Sequence, residues 1–107
     1  MKADEFSPQQ CAATLKVLAD KDRLQIVQLL RQGPLTVSDI VGFLEVEIAN
    51  VSHHLGVLRR SRLVSTKREG KHIYYSLAPD VWQRATRDRA VVEHLNLGCC
   101  RLELKRT

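Results

Sequence analysis

Between Ile48 and Arg60 the apolar residues Ile48, Val51, Leu55 and Leu58 recur at i, i+3, i+7 and i+10, the spacing of one buried stripe on a helix. The opposite face is unlike the charged surface of an ordinary amphipathic helix. At about 100° per residue it carries Ala49, Asn50, His53, Gly56, Val57 and Arg60, with Ser52 and His54 on its flanks. Small residues let a helix approach another surface closely, and Asn, Ser and His bring short hydrogen-bonding groups. Such a face suits a duplex major groove, which admits one helix and displays donors and acceptors along the base edges.

Three shorter helical segments precede it. Ser7-Pro8 offers an N-cap followed by proline at the first helical position, and Cys11, Leu15 and Leu18 then fall on one face. Asp20 or Asp22 caps a second helix, whose Leu24, Ile26, Val27, Leu29 and Leu30 precede the stop signal Gly33-Pro34. Thr36-Val37-Ser38-Asp39 is a capping-box variant that opens a short third helix through about Leu44. After Leu63-Val64 the period changes from helical to alternating. Ser65-Thr66-Lys67-Arg68 and His72-Ile73-Tyr74-Tyr75-Ser76 flank Glu69-Gly70-Lys71, a two-stranded hairpin with glycine at the turn. Pro79-Asp80 then starts a fifth helix that reaches roughly Leu95, with Val81, Ala85, Val92 and Leu95 on one stripe beside Trp82. The expected fold is mainly α with a small β-hairpin, an α+β chain of four helices, two strands and a last helix. Its third and fourth helices make a helix-turn-helix, and the hairpin tipped by Arg68 and Lys71 makes a wing. The apolar stripes of the first and last helices exceed what so small an interior buries, which predicts a homodimer through these terminal helices.

The 107 residues are expected to form one domain, 1–107, with a flexible N-terminus at 1–7 and a cysteine-containing tail at 96–107. Charge is unevenly spread. Residues 1–50 carry −2, residues 76–107 carry +2, and residues 51–75 alone carry +5, equal to the net charge of the whole chain. A localised basic segment is the footprint of a polyanion partner, set against the plainer reading of a solvated surface. Asn50, Ser52, His53 and His54 are therefore the candidates for base edges, and Arg59, Arg60, Lys67, Arg68 and Lys71 for the phosphate backbone. No apolar run approaches a membrane span, and Met1-Lys2-Ala3-Asp4-Glu5 places acids where a secretory signal would be apolar. Three cysteines are too few for a disulfide scaffold and fit a reducing cytoplasm. A glycine-rich phosphate loop and a nucleophile elbow are both lacking, so no enzymatic chemistry is expected.

The run Val51-Ser52-His53-His54-Leu55-Gly56-Val57-Leu58-Arg59 resembles the recognition-helix signature of the ArsR/SmtB family of winged-helix repressors. Leu63-Val64 and Arg68-Glu69-Gly70-Lys71-His72-Ile73-Tyr74-Tyr75-Ser76-Leu77 look like that family's wing. Leu18-Ala19-Asp20 with Arg23-Leu24-Gln25-Ile26-Val27 is similar to its "LADPTRLRIL" opening. The resemblance spans about residues 10 to 95. It implies a homodimer that binds palindromic operator DNA and releases it when an inducer binds.

Two inducer sites known in that family do not carry over. Where arsenite-sensing members have two cysteines in a "CVC" triplet of the third helix, this chain has Thr36-Val37-Ser38. Where zinc-sensing members have Asp-x-His on the last helix, it has Asp80-Val81-Trp82, with only His94 further along. What remains is Cys99-Cys100 beyond Gly98, together with Cys11 on the first helix. Three thiolates would suit a soft, trigonal ion such as arsenite or antimonite, or a thiophilic divalent metal for which His94 offers an extra ligand. The same cysteines also fit a redox switch, aided by Arg101 beside Cys100, or an incidental pair with Cys11 as a small buried hydrophobe, in which case the chain is an inducer-independent DNA-binding protein.

Overall fold

Residues 7–105 are described by a computed structural model of the chain; residues 1–6, most of the expected flexible N-terminus, lie outside the described residues. The helical start signals act as expected. The Ser7 side chain accepts from the Gln10 N–H at the head of α1 (Pro8–Leu18). Asp20 accepts from the N–H groups of Asp22 and Arg23 at the head of α2 (Lys21–Leu30). Thr36 and Asp39 form a reciprocal capping box that opens α3 (Val37–Leu44). Glu45 ends α3 in the left-handed conformation, turning the chain into α4 (Ile48–Arg60). A tight turn through Ser61 and Arg62 leads to β1 (Val64–Glu69), which pairs antiparallel with β2 (His72–Leu77) across Gly70-Lys71. Tyr75 and Leu35 exchange backbone hydrogen bonds of 2.8 and 3.0 Å, pinning this hairpin to the loop ahead of α3.

The core lies between α2, α3, α4 and the base of the hairpin: Ile26, Val27, Leu30, Ile40, Val51, Leu55, Leu58, Leu63, Val64 and Leu77 are all buried. Each such side chain contributes about 1.5–3 kcal/mol of transfer free energy on leaving water. The α4 stripe thus holds at three of its four positions. Ile48, in the first turn, is 60% exposed because the helix begins before it reaches the core.

The C-terminal quarter differs from expectation. No fifth helix forms between Pro79 and Leu95; the segment folds instead as β3 (Trp82–Arg87) and β4 (Ala90–Asn96), antiparallel, with β4 paired in turn to the short β5 (Arg101–Leu102). The apolar residues that fit a helical stripe also fit a ladder: Ala85 faces Val92, and Trp82 faces Leu95. From Arg84 to Arg89 the small Ala85 is the one apolar side chain, and all six residues are exposed. The Asp88-Arg89 pair adopts positive φ at both positions, the requirement of a two-residue hairpin turn. The expected cysteine-containing tail is likewise not a free tail. Leu97 donates to the Cys100 carbonyl at 2.9 Å around Gly98, whose φ is 86°, and the chain returns along β4. A dimer through two terminal helices therefore lacks its C-terminal half, since α1 is the one helix at either end of the described chain. The sheet order β3-β4-β5 leaves the outer edge of β3 unpaired within the described chain, with Arg84 and Arg87 exposed on that strand.

Arg31 is one residue that fastens this sheet to the helices; Gln28 of α2, which donates to the Lys105 carbonyl at 3.1 Å, is another. Arg31, just past α2 and with a side chain only 5% exposed, donates to Gln28 Oε1 and to the Leu104 carbonyl, both at 2.6 Å. It also pairs with Glu93 at 3.5 Å and lies 5.1 Å above the Trp82 ring. Glu93 is shared with Arg84 at 3.3 Å. No helix among the described residues is long and apolar enough to cross a membrane.

Candidate nucleic-acid interface and candidate metal centre

The turn from α3 to α4 presents the outer face of α4 to solvent. Ala49, Asn50, Ser52 and His53 are exposed there, as are Arg59 and Arg60 near the C-terminal end. The Arg60 guanidinium folds back over Gly56, to within 3.2 Å of where a Cβ would stand, so glycine lets the cation lie flat on the helix. In the hairpin that follows, Lys67, Arg68 and Lys71 are exposed around the turn. Lys67 makes one surface contact with Glu69 at 3.6 Å, an interaction of little energetic weight when solvated.

His54 is placed differently from its neighbours. Its ring points back at the head of α2, where an Arg23 Nη1–H donates to Nδ1 at 3.1 Å and Asp22 lies 3.7 Å from Nε2. Arginine can only donate, so Nδ1 is the acceptor and the proton sits on Nε2, facing the carboxylate. With its side chain 14% exposed, His54 braces α4 against α2 rather than standing beside His53 on the outer face. This corrects its place among the base-edge candidates. The expectation failed because a 100° step puts position 54 on the flank of the stripe, where only the partner helix decides its direction. The roles of Asp22 and Arg23 beside His54 were missed; Arg23 belongs to the stretch similar to the "LADPTRLRIL" opening, which was its sequence signal. The Arg23 backbone N–H is the main cause holding the Asp20 carboxyl below its ordinary pKa, opposed by partial burial and reinforced by the Arg23 guanidinium. Asp20, Asp22 and His54 bring ligand-type atoms within 4.8 Å of one another, but the Arg23 cation already lies against them.

The second cluster joins the two ends of the chain. Cys11 on α1 and Cys99 in the turn between β4 and β5 are 88 positions apart and form a disulfide, with Cα atoms 5.9 Å apart. Cys100 Sγ lies 3.8 Å from Cys99 Sγ and is a free, half-buried thiol. All three sulfurs fall within 4.8 Å, and among the described residues no imidazole or carboxylate belongs to the group. His94 is buried in β4 outside this cluster, its Nε2 without a hydrogen-bond partner among the described residues. A cleft of about 780 Å³ opens beside the sulfurs, lined among others by Thr14, Ser61, Asp80, Asn96, Cys99 and Cys100.

The sequence profile of the arsR family of bacterial regulatory proteins matches residues 20–66, from the α2 cap to the middle of β1. The HTH-type transcriptional regulator NmtR of Mycobacterium tuberculosis is 42% identical over 97 residues, covering 89% of this chain and 80% of that protein. The chain belongs to the arsR family. It is a DNA-binding transcriptional regulator with a winged helix-turn-helix, and not an enzyme. The transcriptional activator HlyU of Vibrio cholerae is 31% identical over 96 residues, 90% of this chain and 83% of that one. The structure of reduced HlyU superposes with a TM-score of 0.65 at 32% identity, covering 73% of this chain and 82% of HlyU. The homodimeric winged helix-turn-helix DNA-binding domain of Mb0332 from Mycobacterium bovis gives a TM-score of 0.62 at 37% identity, with 65% of each chain covered. In this arsR-family regulator all three cysteines lie outside the matched residues 20–66.

Proposed function

We propose that this regulator is a cytoplasmic homodimeric repressor that binds a roughly palindromic operator and releases it when a soft ion occupies Cys11, Cys99 and Cys100. Arsenite, antimonite or a thiophilic divalent metal fits that donor set. The observation that carries the reading is the convergence of three sulfurs, Cys11 and Cys99 being 88 positions apart in sequence, into one group that contains no harder ligand among the described residues. An ion held there would couple α1 to the C-terminal sheet, and α1 leaves Ala12, Ala13 and Leu15 exposed for a second copy. The homodimeric state of the Mb0332 domain supports the dimer. In such a dimer two α4 helices would read half-sites about 34 Å apart.

A second reading has its own observation. The Cys11–Cys99 bridge favours a thiol redox switch acting on the same operator, since disulfides in reducing compartments are mostly transient and regulatory. Fluorescence anisotropy with the DNA upstream of the coding sequence, titrated with arsenite, cadmium, zinc and peroxide, separates the two. Release by arsenite or cadmium that is lost in Cys99→Ser supports the ion reading. Release by peroxide alone, reversed by reductant, replaces it with the redox reading. Tighter transcription-activating binding in place of release would make this chain an activator, as HlyU is named.

The roles on the DNA are separable by mutation. Arg68→Ala should weaken binding to every sequence and lower the salt slope by about one. His53→Ala should change base preference at one position by about 1–3 kcal/mol. His54→Ala should lower thermal stability and affinity alike for all sequences and leave base preference unchanged. A selection from randomised operators, run on each variant at two salt concentrations, reads all three.

A further inference from the structure

We infer that oxidation closes the ion site: the disulfide and the ion compete for the same sulfurs, so the regulator takes up a soft ion only while Cys11 and Cys99 are reduced. The inference rests on the ion reading above and adds its regulation. In the bridged chain two of three donors are consumed and Cys100 is the one free thiol. A single thiolate does not make a three-coordinate site. The 5.9 Å between the Cα atoms of Cys11 and Cys99 serves covalent bridging, and the group of three within 4.8 Å serves coordination, with no large backbone movement needed between the two states.

The chemistry balances with a hydroperoxide as oxidant. The Cys99 thiolate, which lines the cleft, attacks the peroxide and becomes a sulfenic acid, releasing hydroxide (alkoxide from an alkyl peroxide). The Cys11 thiol then displaces hydroxide from Cys99 sulfur, giving the disulfide and water, so two thiols are oxidised and one peroxide is reduced. A bound ion reverses the order of events: it holds both sulfurs as thiolates with their lone pairs directed at the ion, so the peroxide finds no free nucleophile. Each state therefore protects itself against the other.

The test uses the full chain, with cadmium as probe and the thiolate-to-metal ultraviolet band as readout. Trypsin provides the second readout, because Cys11 lies in the peptide 3–16 while Cys99 and Cys100 share the peptide 90–101. Reduced protein should bind cadmium, whereas peroxide-treated protein with peptides 3–16 and 90–101 cross-linked should bind it more than about a hundredfold more weakly. Loss of one outer-shell partner already costs 10–100-fold, and here two direct donors are lost. Cadmium-loaded protein challenged with peroxide should yield no cross-linked peptide over the time in which the free protein is fully bridged. Cys100→Ser should still bridge yet bind cadmium weakly when reduced, and Cys11→Ser should bind weakly whether or not peroxide was added. If reduced wild-type protein binds no cadmium, the ion reading itself falls and the gating with it. If reduced protein binds and the cross-linked protein binds equally, or loaded protein bridges at the free rate, the gating alone is overturned.

Discussion

Reducing the Cys11–Cys99 bridge should lower the stability of the isolated chain by roughly 4–5 kcal/mol. The bridge closes a loop of 88 positions, and in the chain-entropy account the constraint on the unfolded state grows with the logarithm of loop length to about this value. On a chain of 107 residues, where each kcal/mol shifts the midpoint by at least about 4 °C, the change in Tm should exceed roughly 15 °C. Urea and thermal unfolding with and without reductant measure it. Cys11→Ser should unfold where reduced wild type does and be indifferent to reductant. Coincident transitions for oxidised and reduced wild type would show that the bridge constrains nothing in the unfolded chain. Cadmium added to the reduced protein should recover part of the lost stability, because an ion bound only by the folded state stabilises it by mass action.

Arg31→Ala should cost about 3 kcal/mol and act on the C-terminal sheet before the rest of the fold. The guanidinium is nearly fully buried, donates twice at 2.6 Å and pairs with Glu93 at 3.5 Å. Removing one partner of a buried ion pair leaves the other with its desolvation penalty uncompensated, typically about 3–5 kcal/mol. The lower end applies here, because Arg84 keeps Glu93 paired from the solvent side. Arg31→Lys should not rescue, since an ammonium cannot reach the Leu104 carbonyl and Glu93 as a fork or lie flat on Trp82. The chain has one tryptophan, so its fluorescence reports the detachment of this sheet directly. In the variant the fluorescence transition should precede the loss of helical circular dichroism; in wild type the two should coincide.

The parts of the fold that were legible from sequence are those whose signals are local. Ser7, Asp20 and Thr36 cap the helices they were expected to cap, and the Gly70 turn fixes the hairpin register from Glu69–His72 through Val64–Leu77. The C-terminal sheet was not legible. Its turn, Asp88-Arg89, has no glycine or asparagine to announce positive φ, and Val81, Ala85, Val92 and Leu95 satisfy a helical period about as well as a strand one. What decides between them is tertiary: Arg31 holding Glu93 and Leu104, and Leu95 inside the core. For the candidate sites, exposure of Asn50, Ser52 and His53 followed from the stripe on their own helix, whereas the direction of His54 required its partner helix. The grouping of Cys11 with Cys99 and Cys100 was expected only as a possibility of assembly, because sequence spacing carries no information across 88 positions.

The bridge joins a residue near one end of the chain to one near the other, and everything that would touch DNA, from the α2 cap to the tip of the wing, lies between them. While it stands, this part of the molecule is a closed ring rather than a string. A single cut at an exposed arginine or lysine of the wing opens the ring without dividing it: both fragments stay covalently attached through sulfur. The same cut in the reduced chain yields two separate pieces. Oxidation, besides what it does to the cysteines, thus gives the regulator tolerance to a first proteolytic nick in its most exposed hairpin.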